Sequence, residues 1–204
     1  MTTIWRSRRG RGPVFPLGAV LLALLIAACS PQAPKFRSTD LTGADFGKEL
    51  ALTAHDGKPR TLADFRGKAV VLFFGYTHCP DVCPTTLADM AGVMKALGKD
   101  AERVQMLFVT LDPERDTPEV LRQYVPAFDP RFLGLYGDAA ATQRAAKEFK
   151  IFYEKRPGSA PGAYTVDHGA QIYVLDATGQ LRLFARQERI AQDLAEDLRA
   201  LLKE

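Results

Sequence analysis

Two cysteines four residues apart are the residues of this sequence best suited to chemistry. Cys79 and Cys83 lie in the segment His-Cys-Pro-Asp-Val-Cys-Pro, which follows the apolar run 70–74. Positions i and i+4 share one face of a helical turn, so both sulfur atoms can lie on one side of this loop. The loop opens a helix, whose amino end favours negative charge and lowers thiol pKa values. Such thiols can form a disulfide, exchange disulfides or bind a soft metal.

A structural disulfide is the simplest use of two cysteines in an exported protein. A bridge across four residues would constrain very little chain, which disfavours that role. Redox chemistry and metal binding remain open. Two thiolates with an imidazole suit copper, because thiolates select Cu(I) and imidazole also accepts Cu(II). A structural zinc site would need a fourth protein ligand, and the third cysteine, Cys29, belongs to the leader.

Three histidines are available to supply an imidazole. His55 lies in the turn His-Asp-Gly-Lys between two short predicted strands, and we expect it to face solvent. His78 directly precedes Cys79, so its side chain should point away from that sulfur. His168 lies in a loop before a predicted strand and is followed by glycine. By spacing alone, His168 would be an exposed loop residue.

The elements around the cysteines are predicted from the hydrophobic pattern. The run 70–74 is typical of a strand buried on both faces, which places the cysteine loop at the carboxyl end of a central strand. Apolar residues then recur at helical spacing, at Leu87, Met90, Met94 and Leu97. Met90 and Met94 are potential thioether ligands for copper, but their spacing favours core packing.

The rest of the chain alternates strands and helices. Strands are predicted at 104–111, 132–136, 171–175 and 181–185, and helices at 117–128, 138–149 and 189–202. The order predicts an α/β protein with a thioredoxin-like fold: a central mixed sheet flanked by helices, an N-terminal β-hairpin, and an insertion before the histidine loop. Asp112 ends the strand next to the central one. It could orient a ligand or recognise a partner beside the cysteines, or simply open a turn.

The first 45 residues are predicted to export and tether the domain. Residues 1–28 combine a basic start with a short apolar stretch, as in a secretory signal peptide. They end in Ile-Ala-Ala-Cys-Ser, which resembles the lipobox of bacterial lipoproteins and predicts lipidation of Cys29; an uncleaved N-terminal anchor is the alternative. Residues 29–45 are predicted to be a flexible tether. The domain at 46–204 should therefore lie on the periplasmic side, anchored to a bacterial membrane.

The basic residues are concentrated in that leader. The chain has 27 basic and 24 acidic residues, and four arginines precede Cys29 with no acidic residue among them. Without these four, the remainder has 23 basic residues and a net charge of about −1. Nothing in this distribution indicates a nucleic-acid-binding surface.

Three motifs together resemble the Sco/SenC family. They are Phe-Phe-Gly-Tyr-Thr-His-Cys-Pro-Asp-Val-Cys-Pro at 73–84, Leu-Asp-Pro-Glu-Arg-Asp-Thr-Pro at 111–118, and Val-Asp-His at 166–168. The resemblance covers residues 46–204. It implies a thioredoxin-like fold with one copper ion per chain bound by Cys79, Cys83 and His168. It also implies delivery of copper to the CuA-bearing subunit of cytochrome c oxidase.

This resemblance implies that the protein is a copper metallochaperone rather than an enzyme with turnover. Its expected partners are the CuA subunit, a copper donor and a thiol reductant that keeps Cys79 and Cys83 reduced. The alternative is a thiol–disulfide oxidoreductase that reduces the cysteines of the partner's copper site. The CxxxC spacing, in place of CxxC, and the lack of a proline at the expected loop position both disfavour that alternative.

Overall fold

The computed structural model describes residues 35–159 and 161–204. In these residues the main sheet has eight strands in the order β1-β10-β9-β4-β5-β6-β2-β3, and β7 and β8 form a separate two-stranded sheet. The strands are β1 (Thr39–Asp40), β2 (Ala51–Ala54), β3 (Pro59–Thr61), β4 (Ala69–Gly75), β5 (Val104–Thr110), β6 (Leu133–Tyr136), β7 (Tyr153–Pro157), β8 (Tyr164–His168), β9 (Gln171–Leu175) and β10 (Leu181–Arg186). The α-helices are α1 (Val82–Leu97), α2 (Pro118–Tyr124), α3 (Ala139–Glu148) and α4 (Ile190–Leu201).

The central strand β4 positions the cysteine loop. All seven of its residues are buried. It pairs in parallel with β5 and antiparallel with β9. An apolar run without polar alternation fits this environment, because neither face of the strand meets water. Helix α1 follows and buries Leu87, Met90, Met94 and Leu97, so both methionines belong to the core.

The α/β thioredoxin-like architecture predicted from the sequence is confirmed: a mixed sheet flanked by helices. β2 and β3 form the N-terminal hairpin. β7 and β8 form the insertion before the histidine loop, and His168 is the last residue of β8. Among the described residues, no helix is both long and apolar enough to span a membrane.

The packed structure begins earlier than residue 46. β1 pairs with β10 at the sheet edge. The Asp197 carboxylate, on α4, accepts hydrogen bonds from the backbone N–H groups of Arg37 and Ser38, both at 2.8 Å. The prediction of a free tether is therefore wrong for this stretch, because a distant carboxylate satisfies its backbone. The predicted signal peptide 1–28 and the predicted lipidation site Cys29 lie outside the described residues.

Candidate metal site

The cysteine loop connects the end of β4 to the start of α1. Cys79 lies in the loop and is half-buried, whereas Cys83 lies in the first turn of α1 and is fully buried. Both are free thiols. The backbone N–H of Cys83 donates to Cys79 Sγ at 3.4 Å. The amino end of α1 thus directs a hydrogen-bond donor at the Cys79 sulfur, which stabilises negative charge there.

Burial raises the pKa of the Cys83 thiol, and the nearby Cys79 and Asp116 add to the effect. The expectation that the helix end lowers the thiol pKa is wrong for Cys83, because removing the sulfur from water disfavours the thiolate more strongly. The protonated thiol is therefore the favoured state of Cys83.

His168 faces the buried cysteine. Its Nε2 lies 3.6 Å from Cys83 Sγ, and its Nδ1 lies 2.9 Å from the carbonyl oxygen of Gly169. A carbonyl oxygen only accepts, so Nδ1 carries the proton and Nε2 presents its lone pair to the sulfur. This is the tautomer that a metal ligand requires, held by a backbone carbonyl.

Aromatic packing holds the His168 ring. The centroid of the Tyr76 ring lies 6.0 Å away in an edge-on arrangement, and that of Phe73 lies 6.3 Å away. Burial lowers the pKa of His168. The imidazole is therefore neutral at pH 7, as metal binding demands.

The three predicted ligands lie at one corner of the fold without forming a finished cluster. Cys83 and His168 are in contact, and Cys79 is linked to Cys83 through the backbone hydrogen bond. Across residues 35–159 and 161–204, no three His, Cys, Asp or Glu side chains already converge as a metal cage. Bringing the Cys79 sulfur to this pair would complete a site of two sulfurs and one nitrogen.

Asp112 is connected to the histidine-bearing hairpin. It is fully buried, accepts a hydrogen bond from the Tyr164 hydroxyl at 2.7 Å and pairs with the guanidinium of Arg115. Its carboxylate oxygens make no hydrogen bond to Cys79 or Cys83 in the described structure. Any influence of Asp112 on the sulfurs is therefore indirect.

Asp116 supports the cysteine loop, and the sequence did not single it out. Its buried carboxylate accepts from the Thr77 N–H at 3.0 Å, the Thr77 hydroxyl at 2.5 Å and the Thr110 hydroxyl at 2.6 Å. The turn after β5 brings Asp116 back to the sheet edge, with its N–H donating to the carbonyl of Asp112. The sequence signal that could have identified Asp116 is its position just beyond the carboxyl end of a strand, a position that Asp112 shares.

The other two histidines occupy different environments. His78 is 52% exposed, and its Nδ1 lies near the Thr77 hydroxyl and 3.8 Å from Asp116. His55 was expected to face solvent, and this is wrong. His55 is buried, and its Nδ1 accepts from the Gly134 N–H at 2.9 Å.

Tyr124 is a further polar group that the sequence did not indicate. Its ring packs against Phe108, and its hydroxyl is buried without a hydrogen-bond partner in the described structure. Burial raises the pKa of Tyr124, and negative charge at Cys83 and Cys79 would add to this effect. A neutral phenol is therefore the state of this group near the two sulfurs.

A thiol pair at the end of the central strand, faced by a neutral imidazole, defines a thioredoxin-like protein equipped to hold a soft metal. Residues 38–203 match the model of the SCO1/SenC family, and the chain belongs to that family. The resemblance noted in the sequence is thereby confirmed.

Curated and solved relatives agree with this membership. The chain is similar to the mitochondrial SCO2 homologue of Mus musculus, with 37% identity over 153 residues that cover 74% of this chain and 60% of the relative. The match thus spans less than two thirds of that protein. The copper-bound structure of Bradyrhizobium japonicum ScoI has 40% identity and a TM-score of 0.71, and the match covers 76% of this chain and 99% of that one. Apo Sco1 of Thermus thermophilus has 41% identity and a TM-score of 0.71, with 81% and 95% covered.

Proposed function

We propose that this protein is a membrane-tethered copper metallochaperone that binds one copper ion through Cys79, Cys83 and His168. The Sco family consists of copper-binding proteins involved in cytochrome c oxidase assembly, and the ScoI structures from Bradyrhizobium japonicum and Arabidopsis thaliana were solved with copper bound. The observation that carries the proposal is the 3.6 Å separation between Cys83 Sγ and the unprotonated Nε2 of His168.

The donor set fits copper. Two sulfurs and one imidazole nitrogen satisfy Cu(I) and also accept Cu(II). The His168 nitrogen needs no deprotonation, because its proton is on Nδ1. Cys83 must release a proton as its sulfur bonds to copper, and that proton leaves to solvent or to the donor's departing ligand.

The two sulfurs differ in access, which gives ligand exchange a direction. Cys79 is half-buried and Cys83 is fully buried. A ligand of the donor or acceptor therefore reaches copper from the Cys79 side. Cys83 and His168 are the last two ligands to dissociate from copper. We propose that the acceptor is the CuA-bearing subunit of cytochrome c oxidase. The predicted signal peptide 1–28 would direct export, and lipidated Cys29 would then hold the protein on the periplasmic side of a bacterial membrane.

Copper titration of the full-length protein tests the three-ligand site. Wild type should bind one Cu(I) or Cu(II) per chain. Cys79→Ser and Cys83→Ser should each weaken Cu(I) binding by more than about 100-fold. Loss of a residue that only hydrogen-bonds to a metal ligand costs up to about 100-fold, and loss of the ligand itself should cost more. His168→Ala should remove nitrogen coupling from the Cu(II) electron paramagnetic resonance spectrum. His78→Ala, which removes an exposed imidazole beside Cys79, is the matched control and should behave as wild type.

Equal binding of both copper oxidation states by His168→Ala and wild type would contradict the site.

A thiol–disulfide oxidoreductase is the second candidate, favoured by the free thiol of Cys79 at a helix amino end. Reduction of a generic disulfide substrate should be slow, since Cys83 is buried and its pKa is raised. Fast catalytic turnover would instead favour the oxidoreductase.

A further inference from the structure

The hairpin formed by β7 and β8 is attached to the fold in an unusual way. Its strands pair with each other but not with the main sheet. His168, the last residue of β8, nonetheless lies against Cys83, which belongs to the main body of the fold. β8 ends at His168, three residues before β9 begins at Gln171, so the chain restrains His168 from one side. No backbone ladder connects the rest of the hairpin to the main sheet, so side-chain contacts must position it.

One face of β8 makes those contacts. Tyr164, Val166 and His168 alternate with exposed residues, so all three lie on the inner face of the strand. His168 meets the cysteine loop at one end of this face. Tyr164 lies at the other end, where its hydroxyl and its carbonyl are both hydrogen-bonded to the main body.

Arg115 makes that bond from three directions. Its guanidinium lies 3.5 Å from the centroid of the Tyr164 ring, and its Nη1 donates to the Tyr164 carbonyl at 3.0 Å. Its Nε donates to Asp112, which also accepts the Tyr164 hydroxyl at 2.7 Å. The three residues form a closed group, called here the Arg115 clamp. Asp112 belongs to the main body, directly after β5.

The Arg115 clamp continues toward the metal ligand through an aromatic ring. The guanidinium carbon of Arg115 lies 5.9 Å from the centroid of the Tyr76 ring. The same Tyr76 ring packs edge-on against His168. Outside the clamp, Lys155 adds an exposed link, with its Nζ 2.7 Å from Glu114 and 4.7 Å from the Tyr164 ring centroid. An exposed ion pair contributes little, so the clamp, whose Asp112 carboxylate is fully buried, dominates.

We propose that Arg115 is a positioning residue that, through Asp112 and Tyr164, sets the reach of His168 to the thiol pair. The inference rests on the proposed copper site. It also explains why arginine suits the position. A planar guanidinium stacks on an aromatic ring while donating in two directions, whereas lysine is a point charge without that fork.

A double-mutant cycle in the full-length protein tests the proposal. Arg115→Met should weaken Cu(II) binding by about 10- to 100-fold, the range for lost outer partners of metal ligands. In a His168→Ala background the same change should have an effect below about twofold, because the clamp acts only through His168. Arg115→Lys should weaken Cu(II) binding nearly as much as Arg115→Met does, because lysine lacks the guanidinium fork. Arg131→Met removes another arginine paired with an aspartate, Asp129, and should leave binding unchanged.

Equal weakening in both backgrounds would show a general structural effect and overturn the proposal, as would no weakening. If Arg115→Met fails to fold because Asp112 is left unpaired, Tyr164→Phe decides the matter. It removes one hydroxyl and keeps the ring, and it should weaken Cu(II) binding about three- to tenfold in the wild-type background only.

Amide hydrogen exchange of the copper-free protein gives a readout that does not depend on the copper site. Clamp variants should speed exchange at hydrogen-bonded amides of β7 and β8 by at least about tenfold and leave β4 unchanged. Should wild type bind no copper through His168, the proposed function fails, and exchange still tests the clamp. Unchanged exchange in the hairpin would overturn it.

Discussion

The two thiols and the imidazole are held by different kinds of structure. The cysteine corner, residues 75–83, follows a strand that is buried and paired on both sides, and Asp116 fixes its loop. The histidine hairpin, residues 153–168, pairs only with itself and is held by the side chains of the Arg115 clamp. One half of the site is therefore built on the backbone of the core, and the other half is attached to it.

This difference separates rigidity from adjustability. Moving the cysteine corner would break hydrogen bonds of the central sheet, whereas the histidine hairpin has no strand pairing with the main sheet to break. Low-stability units are where proteins open locally. The ligand exchange proposed for Cys79, Cys83 and His168 is therefore best served by motion of the hairpin.

Loss of Asp116 should give the largest effect on the cysteine corner. Asp116→Ala leaves the N–H and hydroxyl of Thr77 and the buried hydroxyl of Thr110 without their acceptor, and we expect the free energy of unfolding to fall by about 3 kcal/mol. Urea denaturation measures this change. Asp116→Asn keeps one carbonyl acceptor and should cost less. A loss below about 1 kcal/mol for the alanine variant would show that the corner does not depend on this carboxylate.

A methyl group at Gly75 should disturb the corner to a lesser extent. A Cβ there would lie 2.8 Å from Cys83 Sγ and 2.9 Å from Phe108. We expect Gly75→Ala to destabilise by about 2 kcal/mol through overpacking and to weaken copper binding by moving the sulfur. Gly92→Ala, in helix α1 with open space around it, should stabilise by about 0.5–1 kcal/mol. If both variants melt alike, close packing at the sulfur is unimportant.

Acid should destabilise the histidine hairpin at a higher pH than the cysteine corner. This effect should be the smallest of those predicted here. Burial lowers the pKa of His168 and of His55. Between the lowered folded values and about 6.5, the unfolded chain binds more protons, so stability is complete above pH 6.5 and falls as the pH drops.

Denaturation at several pH values, with wild type beside His168→Ala and His55→Asn, measures this dependence. The slope below pH 6.5 is at most about 1.4 kcal/mol per pH unit for each histidine. Each variant should remove part of the slope. Hairpin amides should also lose protection in acid before β4 does. A slope that neither variant changes would assign acid sensitivity to other groups.

The cysteine corner was predictable because its determinants are local. The apolar run before Cys79 and the helical spacing after Cys83 specify a buried strand followed by a helix, and the structure has both. His55 was predicted incorrectly, because its ring is buried and accepts a hydrogen bond from the N–H of Gly134, 79 residues away. The flexible tether was predicted to extend too far along the chain, because Asp197 on the last helix accepts a hydrogen bond from the backbone N–H of Arg37.

The sequence by itself determined the α/β thioredoxin-like order of elements, the family, and the residue types that would bind a soft metal, because periodicity and motif spacing are properties of neighbouring residues. Only the tertiary structure decided that His168 Nε2 faces Cys83, that Asp116 rather than Asp112 supports the loop, and that Arg115 joins the hairpin to the body. These contacts join residues 39 to 85 positions apart or depend on how a turn folds back. Their geometry follows from packing, which no local pattern records.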